Sequence, residues 1–214
     1  VRNNLTVISG GPGTGKTTTV AKVMALLIEH KAKEDYIPDI ALAAPTGKAA
    51  ARLKESIVAT VKSLNVKREI REAIPSNAVT LHQLLGARRQ SSRFRYNEDN
   101  PLPYDVVIID EASMVDQALM SRLLKALLHD TKLILLGDKD QLASVEAGSV
   151  LGSICSVKEN ALSPGFAEIL GLLQEDIPEE FINSAGKPLT NSVILLQKSY
   201  RFEKSSRIPS LAQL

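Results

Sequence analysis

One glycine-rich segment constrains the fold of this chain more than any other feature. Residues 10–17 read Gly-Gly-Pro-Gly-Thr-Gly-Lys-Thr and match the phosphate-loop pattern G-x-x-x-x-G-K-[ST] in full. That pattern needs a strand before it and a helix after it. Residues 5–9 are a short β-rich run, and residues 16 to about 30 carry apolar side chains at helical spacing. A chance glycine-rich turn would not need these neighbours, so the sequence predicts a strand, a phosphate-binding loop and a helix.

Each residue type in the loop has a physical reason to be there. Glycine has no Cβ, so backbone N–H groups can turn towards a phosphate chain, and the following helix adds the positive end of its dipole. Lys16 brings a positive charge to the β- and γ-phosphates, and the Thr17 hydroxyl is a suitable oxygen ligand for Mg²⁺. The residues predicted to hold the nucleotide are Gly11, Pro12, Gly13, Thr14, Gly15, Lys16, Thr17 and Thr18.

Further apolar runs along the chain predict an α/β fold. Strands are expected at 5–9, 40–44, 106–109, 133–136 and 193–196, and further helices at 47 to about 64 and 117–128. Strands that alternate with helices are typical of a parallel sheet with helices on both faces. Because aromatic residues make up only 4% of the chain, Leu, Ile, Val and Ala must form the core. Together with the phosphate loop, this pattern predicts a RecA-like P-loop NTPase domain.

The predicted domain has one interruption and one segment that the pattern does not explain. Residues 86–103 are basic and rich in turn-forming residues, and we expect a small β-hairpin insertion there. Phe94 and Tyr96 lie between arginines in it, where they could stack on bases or pack inward; inward packing is the favoured reading. We expect one ATP-binding lobe over 1–155, leave 156–190 unassigned, and expect the last strand and a linker over 191–214.

Composition excludes some classes of protein and leaves others open. The net charge of +2 neither requires nor forbids nucleic acid, and the local basic runs can also be solvated faces. The single cysteine, Cys155, excludes an internal disulfide and is expected to pack as a small hydrophobe. We expect no membrane segment, because no apolar run reaches the length of a bilayer, and no signal peptide, because none precedes the first predicted strand.

Polar residues follow two of the predicted strands. Asp110 and Glu111 come directly after 106–109, and ligands of parallel sheets bind at the carboxyl ends of strands. Asp110 is predicted to bind Mg²⁺, and Glu111 to orient or deprotonate the attacking water. Gln141 follows 133–136, and its amide can donate to the γ-phosphate and accept from the water. Polar turns after strands are the alternative for both segments.

These segments, in this order, resemble the motifs of superfamily 1 helicases. Besides the phosphate loop, the matching segments are APTGKAA at 44–50, TLHQLLG at 80–86, DEAS at 110–113, GDKDQL at 137–142 and SYRF at 199–202. The resemblance implies ATP and Mg²⁺ as cofactors and implies that Arg201 contacts the γ-phosphate. It also implies contacts with single-stranded DNA by Pro45, Thr46, Lys48, Thr80 and His82. A structural role in the core or at a helix cap is the alternative for His82.

Within that superfamily the sequence of these motifs is most similar to that of the RecD family, the alpha subunits of bacterial exodeoxyribonuclease V. The run from Leu136 to Gly152 and the segment LLQKSYRF at 195–202 carry most of this resemblance. It implies a 5′-to-3′ motor on single-stranded DNA that acts in the cytoplasm with RecB and RecC, in double-strand break repair and recombination. It also implies a second motor lobe after residue 214, without which the present lobe would bind nucleotide weakly and hydrolyse it slowly.

Two other function classes fit part of the sequence. Another P-loop enzyme, such as an AAA+-type ATPase or a small-molecule kinase, would share the phosphate loop. A kinase also needs an arginine-rich lid and an acceptor pocket, which the sequence does not suggest. A nucleotide-binding scaffold without turnover would have no need for Glu111 and Gln141.

Overall fold

The computed structural model describes residues 4–88, 93–141, 150–155, 162–171, 181–182, 189 and 191–200. The described residues form a six-stranded sheet in the order β3-β2-β4-β5-β1-β6, and every pair of neighbours is parallel. The strands are β1 Leu5–Gly10, β2 Ile40–Ala44, β3 Ala78–Thr80, β4 Val106–Ile109, β5 Lys132–Gly137 and β6 Val193–Leu196. The predicted RecA-like parallel sheet is confirmed.

Helices connect these strands. They are α1 Lys16–Ala32, α2 Gly47–Ser63, α3 Arg68–Ala73, α4 Leu81–Leu84, α5 Gln117–Lys125, α6 Val150–Ile154 and α7 Pro164–Gly171, and a 3₁₀ turn spans Ala112–Met114. None of the helices in the described part of the chain has the length and apolarity to cross a membrane.

The sheet has a hydrophobic core on each face, because successive strand side chains point to opposite sides. On one face, Ile8 and Ile134 pack with Met24 of α1 and Leu53 of α2. On the other, a second cluster forms around Leu135. Its other members include Val7, Leu81, Leu123, Leu151 and the buried thiol of Cys155. Helices therefore cover both faces, as predicted, and Cys155 packs as a hydrophobe.

Most predicted elements agree with the structure, and several short ones, α4 and α6 among them, were not predicted. The predicted bounds of β2, β4 and β6 are those observed, and β1 and β5 differ by one residue at one or both ends. α5 ends at Lys125 instead of 128. The strand β3 was not predicted, because its three residues carry no apolar run and it forms by pairing with β2. The six-residue helix α3 was also not predicted.

The described residues of the basic insertion, 86–88 and 93–103, form isolated bridges. These antiparallel bridges lie between Ala87 and Phe94 and between Asn97 and Asn100. Phe94 and Tyr96 are half-buried and pack against the core around Leu135. The guanidinium of Arg122 lies 5.2 Å from the centroid of the Phe94 ring. The two aromatic rings therefore hold the insertion on the sheet, which is the inward packing that the sequence favoured.

Parallel pairing places the carboxyl ends of all six strands on one rim of the sheet. The phosphate loop follows β1, the acidic pair follows β4, and the GDKDQL segment begins at the end of β5. The APTGKAA and TLHQLLG segments begin at the ends of β2 and β3. Since neighbouring strands lie about 4.8 Å apart, three strand spacings put β2 about 14 Å from β1, and β3 lies about 19 Å from it. The rim thus has a phosphate-loop half and a β2–β3 half.

Candidate nucleotide-binding site

The phosphate loop has the backbone conformation that its glycines permit. Gly13 and Gly15 have φ values of 77° and 87°, in the left-handed region that side chains with a Cβ rarely adopt. Gly10 is needed for a different reason. A Cβ there would lie 2.8 Å from the Leu196 carbonyl oxygen and 2.6 Å from Thr14 Oγ1. The loop is therefore packed tightly against the end of β6 and turns sharply into α1.

Several contacts within the loop fix its shape. Lys16 Nζ donates to the carbonyl oxygens of Gly10 and Gly11, the second at 3.2 Å. Thr14 is buried, and its hydroxyl donates to the Gly11 carbonyl at 2.9 Å. Thr14 thus shapes the loop with its side chain, while the Lys16 ammonium is held at the loop mouth. Thr17 and Thr18 lie in the first turn of α1, with Thr17 half-buried and Thr18 exposed.

A cavity of about 1100 Å³ opens beside the loop. Its lining includes residues 13–19, Lys22 of α1 and Ser56 of α2, and on the other side Phe181, residues 195–198 and Tyr200. The Tyr200 backbone N–H donates to the Gly13 carbonyl at 2.8 Å, and Ser199 Oγ donates to the Pro12 carbonyl at 3.3 Å. The segment after β6 therefore closes the outer side of the loop. The volume is sufficient for a nucleotide.

Asp110 is a partly buried carboxyl on the same rim. Burial is the main cause that raises its pKa, the negative charge of Glu111 adds to the rise, and the Lys16 charge lowers it. The Glu111 backbone N–H donates to Asp110 Oδ1 at 2.9 Å and also opposes the rise. Because the carboxyl responds to the Lys16 ammonium, the two predicted site residues share one electrostatic environment.

The pKa of Asp110 leads to a prediction about stability. A carboxyl whose folded pKa lies above its ordinary value weakens the fold as pH rises from the ordinary pKa through the folded pKa, so a penalty applies at neutral pH. In Asp110→Asn the charge is gone and the amide oxygen can still accept from Glu111. We expect the variant to unfold at a higher temperature than wild type at pH 7 in chelator, although Mg²⁺-dependent nucleotide binding falls.

Thermal unfolding at several pH values checks this expectation. The gain of Asp110→Asn should vanish below the ordinary carboxyl pKa, where Asp110 is protonated in both the folded and the unfolded state. Asp130→Asn is the matched control, because that side chain is 99% exposed and its change should be neutral. An unfolding temperature equal to or below that of wild type at pH 7 would contradict the prediction.

Glu111 has an unusual backbone conformation. Its φ of 52° and ψ of 40° lie in the left-handed region, although it is not glycine. Such a conformation costs on the order of 1 kcal/mol and occurs most often at functional sites. It ends β4 sharply and starts the 3₁₀ turn at Ala112. The half-buried carboxylate of Glu111 is thereby held beside Asp110 at the rim.

Gln141 is connected to the acidic segment by its side chain. Its Oε1 accepts from the Ser113 hydroxyl at 3.0 Å, across 28 residues of sequence. The segment that bears Gln141 is also held to β1, since the Lys139 backbone N–H donates to Ser9 Oγ at 2.9 Å. An added Cβ on Gly11 would lie 3.9 Å from Asp138 Oδ2. The ends of β1, β4 and β5 therefore meet in one cluster of residues.

The residues on the β2–β3 half of the rim are partly engaged in capping helices. Thr46 Oγ1 accepts from the Ala49 N–H at 3.2 Å and caps α2, whose exposed first turn includes Lys48. Pro45 is half-buried. Thr80 forms a capping box with Gln83 at the start of α4. His82 is exposed, and its ring centroid lies 5.8 Å from that of Phe94, so it is not a core histidine.

The structure thus places Lys16, Asp110, Glu111 and Gln141 at the carboxyl ends of the adjacent strands β1, β4 and β5, and it places the β2–β3 residues elsewhere on the same rim. Of these four side chains, Lys16 lines the cavity beside the loop and the other three do not. Arg201 lies outside the described residues. Sequence reasoning did not single out Ser113, Ser9, Phe181, Lys22 or the backbone of Tyr200. Ser113 and Tyr200 belong to the quoted motifs DEAS and SYRF, so their positions were a usable signal. No sequence signal pointed to the contact between Ser113 and Gln141 or to the position of Phe181 in the cavity wall.

The residues present fit a magnesium nucleotide. The loop offers left-handed glycines, the start of a 17-residue helix and one ammonium group, a donor set suited to phosphates. Among the described residues no group of three or more His, Cys, Asp or Glu side chains could hold a metal ion. Mg²⁺ in nucleotide sites uses one or two protein oxygens together with phosphates and water. Thr17 and Asp110 could supply those oxygens.

Comparison with known proteins shows the family of this chain and several relatives. Residues 1–147 match the model of a family described as AAA domain. The RecBCD enzyme subunit RecD of Mycolicibacterium smegmatis is 50% identical over 181 residues, which are 81% of this chain and 32% of that protein. RecD of Haemophilus influenzae is 42% identical over 217 residues, covering 100% of this chain and 33% of that protein.

A further relative is the ATP-dependent RecD2 DNA helicase of Deinococcus radiodurans, 42% identical over 68% of this chain and 17% of that protein. The chain spans about a third of the length of the RecD subunits that it matches. These matches confirm the resemblance to RecD. The chain therefore belongs to the AAA domain family, and its sequence is similar to about a third of the RecBCD enzyme subunit RecD.

Proposed function

We propose that this protein is the ATP-driven DNA motor of a RecD-type subunit. It hydrolyses ATP, moves 5′-to-3′ along single-stranded DNA, and works in the cytoplasm with RecB and RecC in double-strand break repair and recombination. The names of its relatives, RecBCD enzyme subunit RecD and ATP-dependent RecD2 DNA helicase, support this proposal. The polarity, the repair role and the partners follow from the resemblance to RecD alone.

One observation carries the proposal. The rim of a single parallel sheet holds a glycine-rich loop with one lysine, two carboxyl groups and an amide at β1, β4 and β5, and hydroxyl, ammonium and imidazole groups at β2 and β3. In the described part of the chain, the second half of the rim is exposed at Thr46, Lys48 and His82. Such an exposed row suits an extended polyanion that passes beside the nucleotide.

The residues of the phosphate-loop half have distinct roles in hydrolysis. Lys16 stabilises negative charge on the β- and γ-phosphates, and Glu111 orients the attacking water and accepts its proton. Gln141 contacts the γ-phosphate, and Arg201 supplies a second positive charge when it reaches the same group. Thr17 and Asp110 would hold Mg²⁺, which would supply positive charge to neutralise the phosphates. Catalysis then depends mainly on the positions and charges of these groups. The tight packing of the loop against β6 keeps the loop residues in position.

The β2–β3 half suits contacts with a nucleic-acid backbone. The 17-residue helix α2 points its first turn at the rim, with the cap Thr46 and the exposed Lys48. N–H groups at a helix start, hydroxyls and ammonium groups bind phosphates without reading the sequence. Pro45, Thr80 and His82 border the same stretch. We therefore assign single-stranded DNA to this half of the rim.

Titration of ATP hydrolysis with single-stranded DNA tests the proposal. Full-length protein should hydrolyse ATP faster as a mixed-sequence oligodeoxynucleotide is added. The DNA concentration needed for half of the effect should rise with salt, because phosphate contacts release counterions. Displacement of streptavidin from biotin at either end of the oligonucleotide then reports polarity, with faster displacement expected at the 3′ end. If no added DNA changes the rate of ATP hydrolysis, the motor proposal is rejected. Nucleotide binding without hydrolysis would indicate a scaffold.

A further inference from the structure

Ser113 lies between two parts of the site and has no assigned role. It is 3% exposed, in the 3₁₀ turn that begins directly after Glu111. Its hydroxyl donates to Oε1 of Gln141 at 3.0 Å, and Gln141 itself is exposed at the rim. A buried group therefore holds the end of a side chain that reaches out towards the nucleotide.

The packing around Ser113 allows it little movement. A Cβ on Gly137, at the end of β5, would lie 3.2 Å from the Ser113 backbone nitrogen and 2.5 Å from Leu151 Cδ2. Only a glycine lets β5 approach the 3₁₀ turn so closely. The Ser113 hydroxyl is thus presented from a rigid support to the segment that follows β5.

The bond from Ser113 acts on the side chain of Gln141 and not on the fold of its segment. The backbone of that segment has its own anchors, since the Lys139 N–H donates to Ser9 Oγ at 2.9 Å and the Gln141 N–H donates to the Asp138 carbonyl at 3.3 Å. The hydroxyl bond distinguishes the two ends of the amide. Oε1 accepts from Ser113, so the Nε2 group, which can only donate, is directed away from Ser113.

We propose that Ser113 is a positioning residue that orients the Gln141 amide so that its N–H group faces the terminal phosphate of the nucleotide. This inference rests on the proposed ATP hydrolysis and deepens it. It keeps the donor role at the phosphate that the sequence suggested and assigns Oε1 to Ser113, whereas the sequence alone suggested that the amide oxygen accepts from the attacking water. Because Ser113 follows Glu111 by two residues, the group that activates water and the group that contacts the phosphate share one support.

Steady-state ATP hydrolysis by full-length Ser113→Ala tests the proposal. We expect kcat to fall about tenfold, because the amide loses its fixed orientation, and affinity for ADP, which lacks the terminal phosphate, to stay unchanged. Thr131→Val is the matched control. Thr131 is also a buried hydroxyl, 4% exposed, and donates to the Tyr104 carbonyl at 2.8 Å. It directly precedes β5, at the amino-terminal rim of the sheet, opposite the rim that carries the phosphate loop. That variant should keep the wild-type kcat.

A double-mutant cycle separates positioning from a general structural effect. If Ser113 acts through Gln141, Ser113→Ala should have little further effect on kcat in a Gln141→Ala background. Additive losses would overturn the proposal, and so would a wild-type kcat in Ser113→Ala. Gln141→Glu adds a second test, since a carboxylate can accept from Ser113 but cannot donate. It should be at least as slow as Gln141→Ala, and near-normal hydrolysis by this variant would also overturn the proposal.

The outcome remains distinct from that of the motor proposal. If wild-type protein hydrolyses no ATP, the proposed function fails before Ser113 is tested. If wild type is active and responds to DNA, but Ser113→Ala equals it, only the positioning role is lost.

Discussion

Replacing Lys16 with alanine should abolish ATP hydrolysis and remove most nucleotide affinity. The ammonium lies at the loop mouth, where it donates to the Gly10 and Gly11 carbonyls, and its charge reaches Asp110. No other lysine or arginine lies within the phosphate-loop sequence. Loss of a charged donor aimed at a transferring phosphate costs about 10²–10³-fold in rate, and weaker binding adds to this loss in kcat/KM. Binding of a fluorescent ATP analogue and steady-state hydrolysis measure the two effects.

Lys54→Ala serves as the control for this variant. Lys54 is an exposed residue of α2, so its removal changes the net charge equally without touching the loop. We expect that variant to bind and hydrolyse ATP like wild type. Because Lys16 also bonds to loop carbonyls, the unfolding temperature of Lys16→Ala should be measured as well. Normal nucleotide affinity in a folded Lys16→Ala protein would remove Lys16 from the site.

Much of the sheet could be predicted from sequence because its central strands are buried on both faces. Runs such as 40–44 and 106–109 are continuously apolar and fully buried, and that composition favours a strand wherever the chain places it. β3 differs, because Ala78–Thr80 has no such run and is a strand only through its pairing with Leu42–Ala44. The strand order was likewise not predictable, since it depends on which hydrophobic surfaces meet and not on any single segment.

The site could be predicted as far as its chemistry follows from consecutive residues. Glycines, a lysine and a threonine in fixed spacing define the phosphate loop, and carboxylates after a strand define the acidic pair. Contacts between distant segments could not be predicted from the sequence. The bond between Ser113 and Gln141 spans 28 residues, and the Tyr200 amide reaches Gly13 from the far end of the chain. The left-handed backbone of Glu111 was also unpredictable, because glutamate has no preference for that conformation.

The acidic pair has two energetic costs that point to catalysis. Asp110 is a carboxyl whose burial raises its pKa, and Glu111 adopts a left-handed backbone conformation that is unfavourable for any residue with a Cβ. A turn selected only for stability would have an exposed acid and a glycine at these positions. Both costs bring the two carboxyl groups to the rim beside the phosphate loop. The side chain of Glu111 should therefore matter for chemistry more than for folding.

Glu111→Gln should keep nucleotide binding and remove hydrolysis. The amide has nearly the same shape as the carboxylate and leaves the φ of 52° unchanged, but it cannot accept a proton from water. Loss of a general base costs about 10²–10⁴-fold in rate. Single-turnover hydrolysis should show this loss, while affinity for an ATP analogue stays at the wild-type value. Glu55→Gln, an exposed change on α2, should be neutral. Normal turnover by Glu111→Gln would assign proton transfer to another group, and Asp110, beside it on the rim, would then be the next candidate.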